Sequence, residues 1–274
     1  MKSKIFCFSS TGNSLSTAKR IASGLKDCQV VPINKKTKHI NFTGIEKIGF
    51  VFPVYAYGMP RTVQEFIANN EFKKDIYYFA VATCGGTPGG TLKKLEKQLE
   101  QKGCKLKAGF TVKAESHNLM EANFIMQIMI KIAGPQPKTF LKRSEKIMET
   151  VQNRQEQKIE SSFGLANFFG NLIHAQALDQ LKDNHSKLYL KNSCSGCNSC
   201  LQVCPRNNIK LRNGKPIWLE DCESCFGCLQ WCPNQAIGYK GIDERGKRSK
   251  NRNISLNEMS NFQTEFNSND ERIG

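Results

Sequence analysis

Histidine is scarce. The four in this 274-residue chain, His39, His117, His174 and His185, show no paired spacing. That argues against a histidine-based metal or nucleophilic site, and no Ser/His/Asp arrangement takes its place. Long apolar runs are missing too. The longest, Phe124–Ala133, is interrupted by Gln127 and Lys131 and is too short and polar to span a bilayer. Its Phe124-Ile125-Met126 core reads as packing rather than a partner-docking or membrane-surface patch. No targeting segment is visible, because Met1-Lys2-Ser3-Lys4 leads straight into a short apolar run ending by Phe8. A cytoplasmic chain without stable membrane insertion is expected. The nucleotide signatures GxxxxGK[ST] and GxGxxG are also absent, which disfavours a triphosphate, a dinucleotide and direct reduction by a nicotinamide.

Positive charge and cysteine are abundant. Lys and Arg number 40 against 24 Asp and Glu, a formal charge of +16. The lysines are dispersed over stretches such as 91–107 and 131–158 without interleaved aromatics. That speaks against nucleic acid and for acidic protein partners. Twelve cysteines in a chain expected to be intracellular argue for metal chemistry rather than disulfides. Cys7, Cys28, Cys84 and Cys104 are scattered, and the other eight fall within 39 residues.

The first 114 residues alternate strand and helix signals. Lys4–Phe8, Val30-Val31, Lys47–Phe52, Ile76–Ala82 and Phe110–Val112 read as strands. Leu15–Leu25, the stretch after Pro60, and Thr91–Gln101 read as helices. Five strands separated by helices imply an α/β, doubly wound parallel sheet covered on both faces. The pattern then turns helical, over Met120–Ile132, Phe140–Ile159 and a third stretch from Phe163. The expected division is a first domain at 1–160, a helical bridge at 161–185, a small α+β domain at 186–242, and a polar, loosely ordered tail at 243–274.

That small domain contains a repeat of period 28. Cys194, Cys197, Cys200 and Cys204 map onto Cys222, Cys225, Cys228 and Cys232. Pro205 maps onto Pro233, and Ile209 onto Ile237. Both copies read C-x2-C-x2-C-x3-C-P. Three cysteines at three-residue intervals wrap a loop around one face of a cubane, whereas zinc sites use C-x2-C pairs and four ligands per ion. The third cysteine and the proline therefore favour iron–sulfur clusters over zinc. The run resembles that of two-cluster ferredoxins, in which the fourth cysteine ligates the other cluster. The resemblance implies one [4Fe-4S] cluster on Cys194, Cys197, Cys200 and Cys232, and a second on Cys204, Cys222, Cys225 and Cys228. Ile209 and Ile237 are expected to pack against them.

Between the first strand and helix lies Ser9-Ser10-Thr11-Gly12-Asn13-Ser14. A hydroxyl-rich loop with one glycine at a helix N-terminus either wraps a phosphate or serves as a Ser/Thr-rich helix cap. Ser9, Thr11, Gly12 and Ser14 match the T/S-x-T-G-x-T/S phosphate loop of flavodoxins, and residues 4–14 resemble the start of one. That resemblance implies FMN and a sheet of order 2-1-3-4-5. The loops after strands three and four, Pro53-Val54-Tyr55-Ala56-Tyr57-Gly58 and Thr83-Cys84-Gly85-Gly86, would then flank the isoalloxazine ring. Tyr55 or Tyr57 would stack on it, and Gly58 or Gly85 would let backbone approach. Cys84 is a redox candidate there, or simply a buried thiol.

Together with Asn213-Gly214-Lys215-Pro216-Ile217-Trp218 ahead of the second cysteine run, the whole resembles the flavodoxin–ferredoxin fusion proteins called ferrodoxins. It departs from free flavodoxins in being basic. With two clusters and a flavin phosphate bound, the net charge falls to roughly +10. The resemblance implies electron transfer between FMN and two clusters, linking two-electron and one-electron redox partners. The alternatives are a flavin-dependent reductase of a quinone, disulfide or other small substrate, and a redox sensor.

Overall fold

The computed structural model describes residues 2–37, 42–115, 137–162, 184–241 and 248–264. The helix expected at Met120–Ile132, the stretch from Phe163, nearly all of the 161–185 bridge, and His39, His117 and His174 lie outside these residues.

The first part alternates β1 (Lys2–Cys7), α1 (Asn13–Ser23), β2 (Cys28–Pro32), β3 (Ile45–Pro53), α2 (Arg61–Asn69), β4 (Tyr77–Cys84), α3 (Thr91–Gln101) and β5 (Leu106–Lys113). All strand pairs are parallel, in the order β2-β1-β3-β4-β5. Each residue of β4 is buried, as a central parallel strand covered on both faces requires. Side-chain alternation splits the core into two layers. Phe6, Phe8, Phe50, Phe52 and Tyr78 meet Val63, Phe66 and Ile67 of α2 and Leu92, Leu95 and Leu99 of α3 on one face. Ile5, Cys7, Val51, Phe79 and Phe110 meet Leu15, Ala18 and Ile21 of α1 on the other.

A fourth helix, α4 (Pro137–Gln152), adds Ile147 and Val151 to that second layer. It stops at Gln152, short of the expected Ile159. Arg154 turns at φ 53°, and Gln155 N–H reaches back to Thr150 O at 2.9 Å. The chain then runs beside β5, with Gln157 N–H donating to Lys107 O and Glu160 N–H to Gly109 O. Gly109 lets this chain pack close, since a Cβ would stand 3.0 Å from Ile159 Cγ2.

The second part comprises a 3-10 turn (Asn184–Lys187), β6 (Leu188–Leu190), α5 (Ser199–Gln202), β7 (Ile209–Arg212), β8 (Lys215–Trp218), α6 (Gly227–Gln230) and β9 (Ile237–Tyr239). β6 pairs antiparallel with β9, and β7 with β8 across an Asn213-Gly214 turn of positive φ. The repeat survives in backbone geometry. Asn198 and Phe226 open α5 and α6 in the left-handed region, and Asn207 and Gln235 share it after the fourth cysteines.

The tail expected to be loosely ordered is not so over 248–264. It forms α7 (Leu256–Thr264), and Ile254 and Met259 enter the α1-side core with 5% and 0% exposure. Apolar residues are sparse in this segment but fall where they face the core, a pattern that average polarity conceals. No helix of the described residues is long and apolar enough to cross a membrane.

Candidate functional site

Three expected loops meet at the C-terminal edge of β1, β3 and β4. Gly12 takes φ 97° and opens α1 with no side-chain cap. Among the described residues, no acceptor meets the amides of Ser10 to Leu15. Ser9 Oγ is buried with no hydrogen-bond partner among the described residues. Unpaired amides at a helix N-terminus beside an orphaned hydroxyl form the donor set that a phosphate monoester needs, so the phosphate of FMN fits these residues.

Ser14 Oγ lies 2.8 Å from Thr83 Oγ1, and Ser10 Oγ 2.8 Å from Tyr55 OH. Val54 N–H donates to Thr83 O at 2.9 Å. These bonds tie the phosphate-type loop to both ring-flanking loops. Asn13 Nδ2 donates to Glu115 O, fixing the outer side of the loop.

The two tyrosines are not equivalent. Tyr55 packs edge-on to Phe8 at 6.1 Å, and burial, reinforced by the nearby Cys225, pushes its phenol well above the usual value. Tyr57 is 37% exposed. With Ala56 it sits at positive φ (45° and 66°) in a turn closed by reciprocal bonds between Tyr55 and Gly58. Two adjacent left-handed residues that are not glycine store backbone strain of the kind that clusters at functional sites. Gly89 leaves room for this turn, as a Cβ there would lie 2.9 Å from Tyr57 O. Pro53 is half-buried at the end of β3, Gly85 is half-buried, and Gly86 is exposed. Burial pushes the Cys84 thiol up to about 11, which makes it a poor nucleophile.

The eight clustered cysteines fall into two groups of four. Cys204, Cys222, Cys225 and Cys228 line one cavity of about 440 Å³, open mouth included, with Ile209 and Trp218 on its wall. Cys194, Cys197, Cys200 and Cys232 line another of about 360 Å³, with Ile237 on its wall. Among the described residues no three His, Cys, Asp or Glu side chains converge on a single ion. Each quartet instead rings a void. Asn208 and Ala236 amides donate to Cys204 and Cys232 Sγ at 3.4 and 3.2 Å, positions related by the repeat. In the first cavity two buried donors lack a full complement of acceptors among the described residues: Asn184 Nδ2, and Trp218 Nε1, which stands beside Cys228. Sulfur-rich, electron-rich clusters would satisfy them, so the residues present fit [4Fe-4S] centres.

Polar residues join the two parts. Glu223 accepts the amides of Arg61 and Thr62 at 2.8 and 3.0 Å, capping α2 from the neighbouring module. Burial pushes its carboxyl up, against the pull of the Thr62 hydrogen bonds. Arg206, 3% exposed, pairs with Glu65 and Asp221, and Asp221 also takes Arg61 at 2.9 Å and Lys35.

Sequence reasoning missed this junction and also Trp231, Asn251 and Gln263, which contact the Ser9–Asn13 loop. One signal was available. The repeats read CLQVCP and CLQWCP, so the small Val203 is matched by Trp231, a large side chain with a hydrogen-bond donor.

Residues 4–138 match the model of a flavodoxin family, Flavodoxin_5, described as a flavodoxin domain. No curated protein matches the chain. Among solved structures, the flavodoxin of Streptococcus pneumoniae TIGR4 is 12% identical, with a TM-score of 0.42, covering 56% of this chain and 99% of that one. A flavodoxin from the domain Archaea is 15% identical (TM-score 0.34; 54% and 99% covered). An FMN-dependent NADH-azoreductase of Bacillus anthracis str. Ames Ancestor, solved with FMN, is 11% identical (TM-score 0.37; 56% and 99% covered). The family match and the β2-β1-β3-β4-β5 parallel sheet agree: the N-terminal part of this chain is a flavodoxin-like domain.

Proposed function

We propose that the chain is a two-module electron-transfer protein linking two-electron and one-electron redox partners. FMN would be held at Ser9–Ser14, one [4Fe-4S] cluster by Cys194, Cys197, Cys200 and Cys232, and a second by Cys204, Cys222, Cys225 and Cys228. The observation that carries this reading is a contact. A Cβ added to Gly227 would lie 3.2 Å from Ser10 O and 3.8 Å from Cys225 Sγ. Gly227, which follows Cys225 by two residues and precedes Cys228, thus stands against the phosphate-type loop. When bound, FMN supplies two-electron exchange in one-electron steps, and each cluster supplies one-electron exchange.

The chain's own residues hold and insulate these groups. Ser10–Leu15 amides and Ser9 Oγ bind the phosphate, and Tyr57 offers its exposed ring to the isoalloxazine. Tyr55, beside Cys225, and Trp231, bonded to Ser10 O, keep water from the space between modules. The Cys225 and Cys228 thiols are pushed up by burial, so cluster binding must displace their protons. The ligand loop Ser195–Asn198 of the other quartet is exposed, Cys197 included. Residues 184–219 contain no acidic side chain but do contain Lys187, Lys191, Lys210, Arg212 and Lys215, besides the buried Arg206 already paired at the junction. That charge supports docking of acidic redox proteins on this side.

Anaerobic reductive titration tests the proposal. The loaded chain should take up about four electrons, two on flavin and one on each cluster, with rapid exchange among them. Flavin and clusters that fill independently, with no exchange over seconds, would sink it.

A further inference from the structure

The carbonyls of Ser9, Ser10 and Thr11 are each held by a donor from beyond residue 230. Gln263 Nε2 donates to Ser9 O at 2.8 Å, Trp231 Nε1 to Ser10 O at 2.7 Å, and Asn251 N–H to Thr11 O at 2.9 Å. Three consecutive carbonyls are thus met by three donors from three separate segments. Both side-chain donors are buried: Gln263 is 3% exposed and Trp231 0%. Asn251 Nδ2 adds a bond to Asn13 Oδ1 at 2.9 Å, and its Cβ would lie 2.9 Å from a Cβ on Gly12. Asn34 Nδ2 in turn holds Gln263 O at 3.0 Å.

In a trans peptide the carbonyl of one residue and the N–H of the next point in opposite directions in one plane. Fixing the carbonyls of Ser9, Ser10 and Thr11 therefore aims the amides of Ser10, Thr11 and Gly12 away from the C-terminal segments. These are the amides left without acceptors. We infer that Trp231, Asn251 and Gln263 are positioning residues that preset the loop for a phosphate monoester. Phosphate recognition by the first module thereby depends on the second module and on α7. The inference rests on the FMN reading above. It adds that the flavin phosphate is gripped through residues a free flavodoxin-like domain would not contain. Because Trp231 directly precedes Cys232, disturbing that cluster's loop would disturb the Ser10 peptide as well.

The test uses the full, cluster-loaded chain with Trp231→Phe and Gln263→Met, each of which removes a donor while keeping apolar bulk. FMN and riboflavin, which lacks the phosphate, are titrated by flavin fluorescence. Iron content and circular dichroism select folded protein. Each substitution should weaken FMN binding about tenfold or more, the cost of a lost buried hydrogen bond expressed through the loop. Riboflavin binding should change less than about twofold. Equal weakening of both flavins would mean general damage and would overturn the inference, as would no change in either. If only one variant folds, the FMN-to-riboflavin ratio in that variant decides. A parent chain that binds no FMN at all would overturn the flavin reading itself, an outcome distinct from the other two.

Discussion

Met259→Ala measures whether the C-terminal helix belongs to the fold. Met259 is fully buried in the layer that contains Leu15, Ala18 and Trp231. Truncating a buried methionine to alanine costs about 2–5 kcal/mol, from lost transfer energy plus a residual cavity. Taking about 3 kcal/mol, the population in which α7 is detached rises roughly 150-fold. Hydrogen exchange of the 256–264 amides should accelerate by that factor, up to the unprotected rate. Asn261→Ala, on the exposed side of the same helix, should leave exchange nearly unchanged. If the parent already exchanges at the unprotected rate, or if Met259→Ala has no effect, the packing described for α7 is wrong.

Other substitutions probe the metal ligands and the junction. Cys232→Ser should halve the iron and leave the same paramagnetic signal as Cys197→Ser, while Cys204→Ser should match Cys225→Ser. A match within each contiguous run instead would disprove crossed ligation. Arg206→Met leaves Glu65 and Asp221 without their buried partner, but these are 44% and 31% exposed, which softens the loss. A destabilisation of about 1–3 kcal/mol in urea is expected, and an unchanged midpoint would contradict the role given to Arg206. Cys84, raised by burial to about 11 from 9.0, should alkylate slowly. At pH 8 its thiolate fraction is about 10⁻³ against about 10⁻¹ for an unperturbed thiol, and its rate should climb tenfold per pH unit toward 11. A midpoint near the ordinary value would show that the thiol is open to water.

The parallel sheet was legible because its strands are short, continuous apolar runs between helices of clear periodicity, and β4 is the plainest case. The 28-residue cysteine repeat was equally plain, and its two quartets line separate cavities. Ser9–Ser14 could be read as a phosphate loop or a helix cap, and the unpaired amides and Ser9 Oγ, which favour the first reading, depend on distant contacts that the sequence does not mark. The different settings of Tyr55 and Tyr57 were not legible at all, because they depend on a hydrogen bond to Ser10 and on a strained turn. The α7 segment was misread from its polarity. Its contribution comes from Ile254, Met259 and Gln263, three residues whose spacing matters and whose average hydropathy does not. The junction of Arg61, Glu65, Arg206, Asp221 and Glu223 joins charges distant in sequence, and no local pattern marks them as partners.

The most direct test is composition. The chain would be purified anaerobically and its iron, acid-labile sulfide, zinc and flavin measured per polypeptide. About eight iron, eight sulfide and one FMN, with no stoichiometric zinc, is the expected result for two cubanes and a flavin. Zinc in place of iron, or eight iron without flavin, would contradict the two-module electron-transfer account.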